Sequence, residues 1–241
     1  MGDVEGRRVL VTGASSGIGA ATARALAGAG ASVALLARRR ERLDDLAAEI
    51  GGLAVPADVV DVDAVGDAVE RAAAGMGGLD GVVNAAGVVF PGLVADTDPA
   101  GWRTMVEVNL LGVLHVTRAC IPHLRRAGRG DVVNLSSMSG RRVGSTEMAV
   151  YAATKAGVHT LSEGLRRELA PDRVRVSVVA PGVVDTSLFD ERSDPTSDRL
   201  RAVAEDVGLD AAVVADTIVR IVSAPADVVH VEVAMLSIDQ G

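Results

Sequence analysis

Three features of the 241-residue chain predict an α/β fold, a three-layer α/β/α sandwich on a seven-stranded parallel sheet. Apolar, β-rich runs alternate with longer Ala-rich helical patterns. The β-rich runs lack polar alternation, as expected of parallel strands covered on both faces. The first run ends in a glycine-rich turn that opens a helix, "VTGASSGIG" from Val11 to Gly19. Such an order implies right-handed crossovers and a doubly wound sheet.

In chain order the strands read "RVLVTG", "SVALLA", "LAVPAD", "LDGVVNAAG", "DVVNLSS", "VRVSVVAPG" and "VVHVEVAML". Helical patterns fall near 18–29, 40–50, 61–76, 101–127, 150–170 and 210–223. Hydrophobic residues make up 49% of the chain, which gives ample core. No composition break, repeat or linker divides it, so a single domain over 1–241 is expected. The polar stretch "DTSLFDERSDPTSD" (185–198) follows a strand's carboxyl end, where open α/β sheets bind ligands. It is read as irregular, and as part of a substrate lid near 185–206.

Composition excludes several function classes. A net charge of −8 without a basic block disfavours nucleic acid and anionic membranes as partners. No run of 18 uncharged apolar residues reads as a membrane span. A strand begins by about Arg7 or Arg8, leaving no room for a signal peptide. Cys120 is the sole cysteine, so no internal disulfide can form, and a reducing, cytoplasmic location is expected. His115, His123, His159 and His230 show no ligand spacing, and no metal site is expected.

The glycine turn carries the first chemical signal. Gly13, Gly17 and Gly19 allow a tight turn and close backbone approach to a pyrophosphate, with Ser15, Ser16 and Ile18 between them. The N–H groups and dipole of the following helix then receive the negative charge. At the end of the second strand, where an acidic residue would bind a ribose 2′-hydroxyl, stands Ala37, followed by Arg38, Arg39 and Arg40. Cations at a helix start oppose the dipole, so an anion is expected to compensate them. NADP is therefore expected over NAD.

The second signal is "YAATK". Tyr151 is the only tyrosine, and Lys155 is the only lysine against 23 arginines. A deprotonatable ammonium on a flexible stem is what a guanidinium cannot replace. Four residues apart on a helix, the two project together. An ammonium about 5 Å from the phenol favours phenolate by roughly 3 kcal/mol, or about two pKa units. Tyr151 then serves as the acid/base of a hydride transfer.

At this point the sequence resembles the short-chain dehydrogenase/reductase family over essentially its whole length. The motifs are "TGASSGIG", Asp58-Val59, "NAAG" (Asn84, Ala85, Ala86, Gly87), Asn109 in "VNLLG", "NLSSMSG" with Ser137, "YAATK", and "PGVVDT" with Pro181, Gly182, Val184 and Thr186. Ala85 stands where the commonest family form has a second asparagine. The resemblance implies a Rossmann-like fold and a tetrad of Asn109, Ser137, Tyr151 and Lys155. In it Lys155 also holds the nicotinamide ribose, Ser137 bonds the substrate oxygen, and Asn109 holds a relay water. The other motif residues would line the cofactor site. "ARRRERL" and the final strand are similar to the branch containing clavulanate-pathway and 3-hydroxy-acid dehydrogenases.

The expected function is NADP-dependent reduction of a ketone or aldehyde, or oxidation of the matching alcohol. The alternatives are a 3-oxoacyl carrier reductase, with Arg141 and Arg142 as its basic surface, and a non-catalytic dinucleotide sensor. Ser137, Ser139, Arg141, Met148, Tyr151, Val183 and Phe189 are expected to line the substrate cleft. Apolar positions Val106, Leu110, Val113 and Leu114, and Val158, Leu161, Leu165 and Leu169, lie on more than one helix face. They predict self-association, a homotetramer first and a dimer second.

Overall fold

The computed structural model describes residues 4–189 and 194–240. The middle of the segment expected to form a lid, 190–193, lies outside the described residues. The elements are β1 (Arg8–Thr12), α1 (Gly17–Gly28), β2 (Ser32–Leu36), α2 (Arg40–Ile50), β3 (Leu53–Ala54), α3 (Val62–Met76), β4 (Gly81–Asn84), α4 (Pro99–Val106), α5 (Gly112–Ala127), β5 (Gly130–Leu135), α6 (Ala149–Leu169), β6 (Val174–Pro181), β7 (Val184–Asp185), α7 (Pro195–Val207), β8 (Leu209–Asp210), α8 (Ala211–Val222) and β9 (Glu232–Met235). The main sheet has seven strands in the order β3-β2-β1-β4-β5-β6-β9. Every neighbouring pair in it is parallel. From β1 the chain winds outward through β2 and β3, then returns to β4 on the other side. The crevice for ligands in such sheets opens at that reversal, outside the strands' carboxyl ends.

Strand residues alternate between two apolar layers. Val9, Val11, Val33, Leu35, Val133 and Val179 pack on Leu26 of α1, Leu43 of α2 and Ile218 of α8. Leu10, Leu36, Val82, Val132 and Val176 pack on Val69 of α3, Cys120 and Leu124 of α5, and Leu165 of α6. Both faces being covered explains why the strands read as continuous apolar runs. Truncating a fully buried residue such as Leu26 to Ala would cost about 2–5 kcal/mol.

A buried ion-pair network closes the amino end of the sheet. Arg7 donates to Asp80 Oδ1 at 2.8 Å and to Asp131 Oδ2 at 2.6 Å. Arg175 donates to both Asp131 oxygens, at 2.8 and 3.0 Å. It also reaches the carbonyls of Val222, Ala224, Pro225 and Val228, tying β5 and β6 to the loop after α8.

The structure departs from sequence expectation in several places. The helix expected over 101–127 is interrupted by a π-helical turn at Glu107–Leu111, centred on Asn109. The run Pro99–Ala127 is long and apolar enough, by length and composition, to cross a membrane. In the fold, Val113, Val116, Cys120 and Leu124 bury one of its faces in the core. The stretch read as irregular runs into the first turn of α7, capped by the Asp194 carboxylate on the Ser197 amide with Pro195 in that turn. The last strand forms only over Glu232–Met235, within the longer run expected. Of the positions assigned to self-association, Val113, Val158, Leu165 and Leu169 are buried in the chain's own core, whereas Val106 and Leu114 are exposed.

Candidate active site

The carboxyl ends of β1, β4, β5 and β6 open into a cavity of about 680 Å³. At one end lies the glycine turn. Gly13 has φ +66°, and a Cβ there would come within 2.8 Å of the Ala85 carbonyl oxygen. A Cβ on Gly19 would stand 2.4 Å from the Gly13 oxygen. Only glycine lets the turn pack this tightly against the β4 loop. Thr12 completes the contact, its hydroxyl accepting from the amides of Ala85 and Ala86 at 3.0 and 3.1 Å. Helix α1 begins at Gly17, so its first N–H groups would face an anion bound in the turn.

Gly13, Ser15, Ser16, Gly17, Ile18, Gly19, Arg38, Arg39, Asp58, Val59, Ala85, Ala86, Gly87, Pro181, Gly182, Val184 and Thr186 all line the cavity. Arg39 donates to the Ser15 hydroxyl at 2.9 and 3.1 Å and to that of Ser16 at 2.8 Å, so its guanidinium spans the turn. Arg38 is exposed beside it. Asn84 is placed differently from the expectation that it touches a cofactor. It is buried one layer below, donating to Thr117 Oγ1 at 3.0 Å and to Asn134 Oδ1 at 2.8 Å. Asn134 in turn donates to Ser162 Oγ at 2.9 Å, and the chain cross-links β4, β5, α5 and α6.

The other end holds Ser137, Tyr151 and Lys155, from the end of β5 and from α6. The Ser136 hydroxyl donates to the Lys155 carbonyl at 2.9 Å and clamps strand to helix. Gly140 lets the loop cross α6, since a Cβ there would lie 2.8 Å from the Lys155 carbonyl carbon. Lys155 Nζ donates to the Leu135 carbonyl at 2.9 Å and stands 5.8 Å from the centre of the Tyr151 ring. Asn109 sits behind the wall rather than on it. Its Oδ1 accepts from the Val88 amide at 2.8 Å, and its Nδ2 donates to the Val88 carbonyl at 2.9 Å and to Thr154 at 3.2 Å. A Cβ on Gly87 would lie 3.4 Å from Asn109 Oδ1 and 3.6 Å from Lys155 Nζ, so the space beside Gly87 borders both side chains.

The electrostatics reverse the expected phenol shift. Burial pushes the Tyr151 phenol up to about 12, with a hydrogen bond to Ser137 acting in the opposite direction. Burial also brings the Lys155 ammonium down to about 8. Among the chain's own groups, desolvation therefore outweighs any ammonium field on the phenol.

Of the expected cleft residues, Ser137, Ser139, Met148, Tyr151, Val183 and Phe189 line the cavity. Arg141 does not. It turns outward to Glu232 Oε1 at 3.3 Å, and Arg142 lines the cavity in its place. Val203 of α7 falls inside the expected lid, whereas sequence reasoning missed Val207 at the end of α7, and Leu236 and Gln240 after β9. The sequence "SDPTSD" held the cap signal for α7. Nothing in the sequence links Gln240 to the loop 57 residues earlier that it touches.

A model of the short chain dehydrogenase family matches residues 7–197. An uncharacterized oxidoreductase of Staphylococcus epidermidis is 39% identical over 190 residues, spanning 78% of this chain and 82% of the relative. A short chain dehydrogenase from Burkholderia cenocepacia, solved in complex with NADP, is 33% identical with a TM-score of 0.85 over 99% of both chains. An alcohol dehydrogenase from the archaeon Thermococcus sibiricus, complexed with 5-hydroxy-NADP, is 29% identical with a TM-score of 0.86 over 98% of both. The chain belongs to the short-chain dehydrogenase/reductase family.

Proposed function

We propose that the protein is an NADP-dependent oxidoreductase that reduces a ketone or aldehyde, or oxidises the matching alcohol, with Tyr151 as acid/base. The observation that carries this reading is the single cavity joining an anion-binding turn and Arg38 at one end to Ser137, Tyr151 and Lys155 at the other. The NADP-bound relatives support the cofactor assignment. The residues present fit the dinucleotide. The glycine turn and the start of α1 would receive its pyrophosphate, Arg38 its 2′-phosphate, and Lys155 its ribose hydroxyls. When bound, NADPH supplies the hydride.

The protein's own part is to move one proton. Ser137 donates a hydrogen bond to the substrate oxygen and orients it. Tyr151 gives its phenolic proton to that oxygen as the carbon is reduced. A phenol held neutral by burial suits a proton donor, and Lys155 stabilises the phenolate left behind. The space beside Gly87, bordered by Lys155 and Asn109, gives the replacement proton a route inward. Asn109 fixes Val88 and so holds that route open.

The stretch near 185–206 is assigned as the substrate lid, and of its described residues Leu188, Phe189 and Val203 face the cavity beside Val207. With Met148 and Phe90 they make the substrate end apolar. For the carrier-reductase alternative, Arg142 remains at the cavity while Arg141 turns to Glu232. The sensor alternative is weakened by the complete tetrad. Exposed Val106, Leu111 and Leu114 on the α4–α5 helix favour self-association, with a homotetramer the expected assembly and light scattering its check. A cytoplasmic location suits NADPH and the lone, buried Cys120. NADPH and NADH oxidation over a carbonyl panel, set beside binding of each cofactor, tests the reading. Binding without turnover of any carbonyl would favour the sensor.

A further inference from the structure

We propose that Gln240 is a positioning residue that locks the carboxyl end of α7 to the loop after β6, and so sets the aperture of the substrate end. The inference rests on the carbonyl-reductase reading.

The backbone pairing of β6 with β9 ends at Pro181 and Met235, with the Gly182 amide donating to the Met235 carbonyl at 2.7 Å. One residue further, a side chain takes over. Gln240 Oε1 accepts from the Val183 amide at 2.9 Å. Its Nε2 donates to the Val183 carbonyl and to the Val207 carbonyl, both at 2.9 Å. One primary amide thus satisfies both backbone groups of Val183, as a neighbouring strand would, and reaches the last residue of α7 as well. Gly182 makes room for it, because a Cβ there would lie 2.2 Å from Gln240 Oε1.

The bridge spans the base of α7. β7 and β8, on either side of 186–207, pair in parallel through Val184 with Leu209 and Asp185 with Asp210. The Leu209 amide shares the Val183 carbonyl with Gln240, at 2.9 Å. Across the cavity mouth α7 is held by the Arg199–Glu147 ion pair, whose arginine is largely exposed. Exposed pairs of that kind contribute little. The half-buried amide bonds at the base are therefore the stronger fixture. Val183, Val207 and Gln240 all face the cavity, so loosening the bridge moves two apolar walls without touching Tyr151.

The chemistry requires one acceptor and two donors. A carboxylate of the same size keeps the acceptor but sets an oxygen against two carbonyls. Gln240→Glu and Gln240→Ala, each in the full chain, are compared with the parent by hydrogen exchange, NADPH binding and steady-state kinetics. Faster exchange is expected in peptides covering 183–189 and 203–210, with exchange elsewhere unchanged. KM for the carbonyl is expected to rise on the order of tenfold, while NADPH affinity stays within a few fold. For Gln240→Glu, the KM ratio to the parent should shrink below about pH 5, where the protonated acid regains one donor. Unchanged exchange at 183–189 and 203–210, or faster exchange spread evenly over the chain, would overturn the proposal. So would an unchanged KM in a parent that turns over. If the parent reduces no carbonyl, the functional reading fails on its own, and the exchange pattern still decides the bridge.

Discussion

Lys155 Nζ stands 5.8 Å from the centre of the Tyr151 ring and donates its hydrogen bond to the Leu135 carbonyl instead. The two side chains share a helix face, but burial governs their ionisation: the phenol goes up to about 12 and the ammonium down to about 8. Because Tyr151 is the only tyrosine, phenolate absorbance near 295 nm reports on it alone. In protein without added cofactor the phenolate should appear above pH 11. Saturating NADP⁺, which adds a positive charge nearby, should move the transition down. A transition at pH 10 or below in protein that is still folded by circular dichroism would contradict the assignment.

Lys155 also makes stability depend on pH. Its folded value lies near 8 against 10.5 for the free side chain, so between these limits the unfolded chain binds more protons. Stability attributable to this group therefore rises with pH across that window, and the full penalty applies below it. Lys155→Met removes the penalty, which is on the order of 3 kcal/mol. Its thermal midpoint relative to the parent should be most favourable at pH 7 and lose ground towards pH 10. A pH-independent difference would show that the ammonium is not desolvated.

Lys155→Arg keeps a positive charge but should lose nearly all turnover. A forked guanidinium does not fit the buried site from which Nζ reaches Leu135 and faces Gly87. Kinetics of the purified variant against the parent decide this, and near-normal activity would remove the reason offered for the solitary lysine.

Cofactor choice is expected to rest on Arg38. Arg38→Asp should weaken NADPH by about 2–3 kcal/mol, through loss of a charge-assisted phosphate contact, and move preference towards NADH. Comparison of kcat/KM for the two cofactors checks it. Equal values in the parent would refute it.

Most of the architecture was legible because parallel strands buried on both faces leave apolar runs between helical periods. The glycine turn and the Tyr151–Lys155 pair were legible because their chemistry is local. What escaped notice was long-range or depended on direction. Arg141 and Arg142 are adjacent and chemically alike, and only the turn of the backbone decides that one meets Glu232 and the other the cavity. Asn84 sits in a motif next to cavity residues, yet strand geometry points it to Asn134 and Thr117. The phenol shift reversed because spacing along a helix gives proximity but says nothing of burial. α7 was hidden by polar composition, although its Asp-Pro cap was present.

The central claim is that Tyr151 protonates a carbonyl oxygen during reduction by NADPH. Its most direct test compares the parent with Tyr151→Phe on one accepted carbonyl substrate, measuring NADPH consumption and NADPH affinity together. The account predicts a loss of turnover of at least about two orders of magnitude, the usual contribution of a positioned general acid, with affinity held within a few fold. Turnover by the phenylalanine variant above a few per cent of the parent would contradict it.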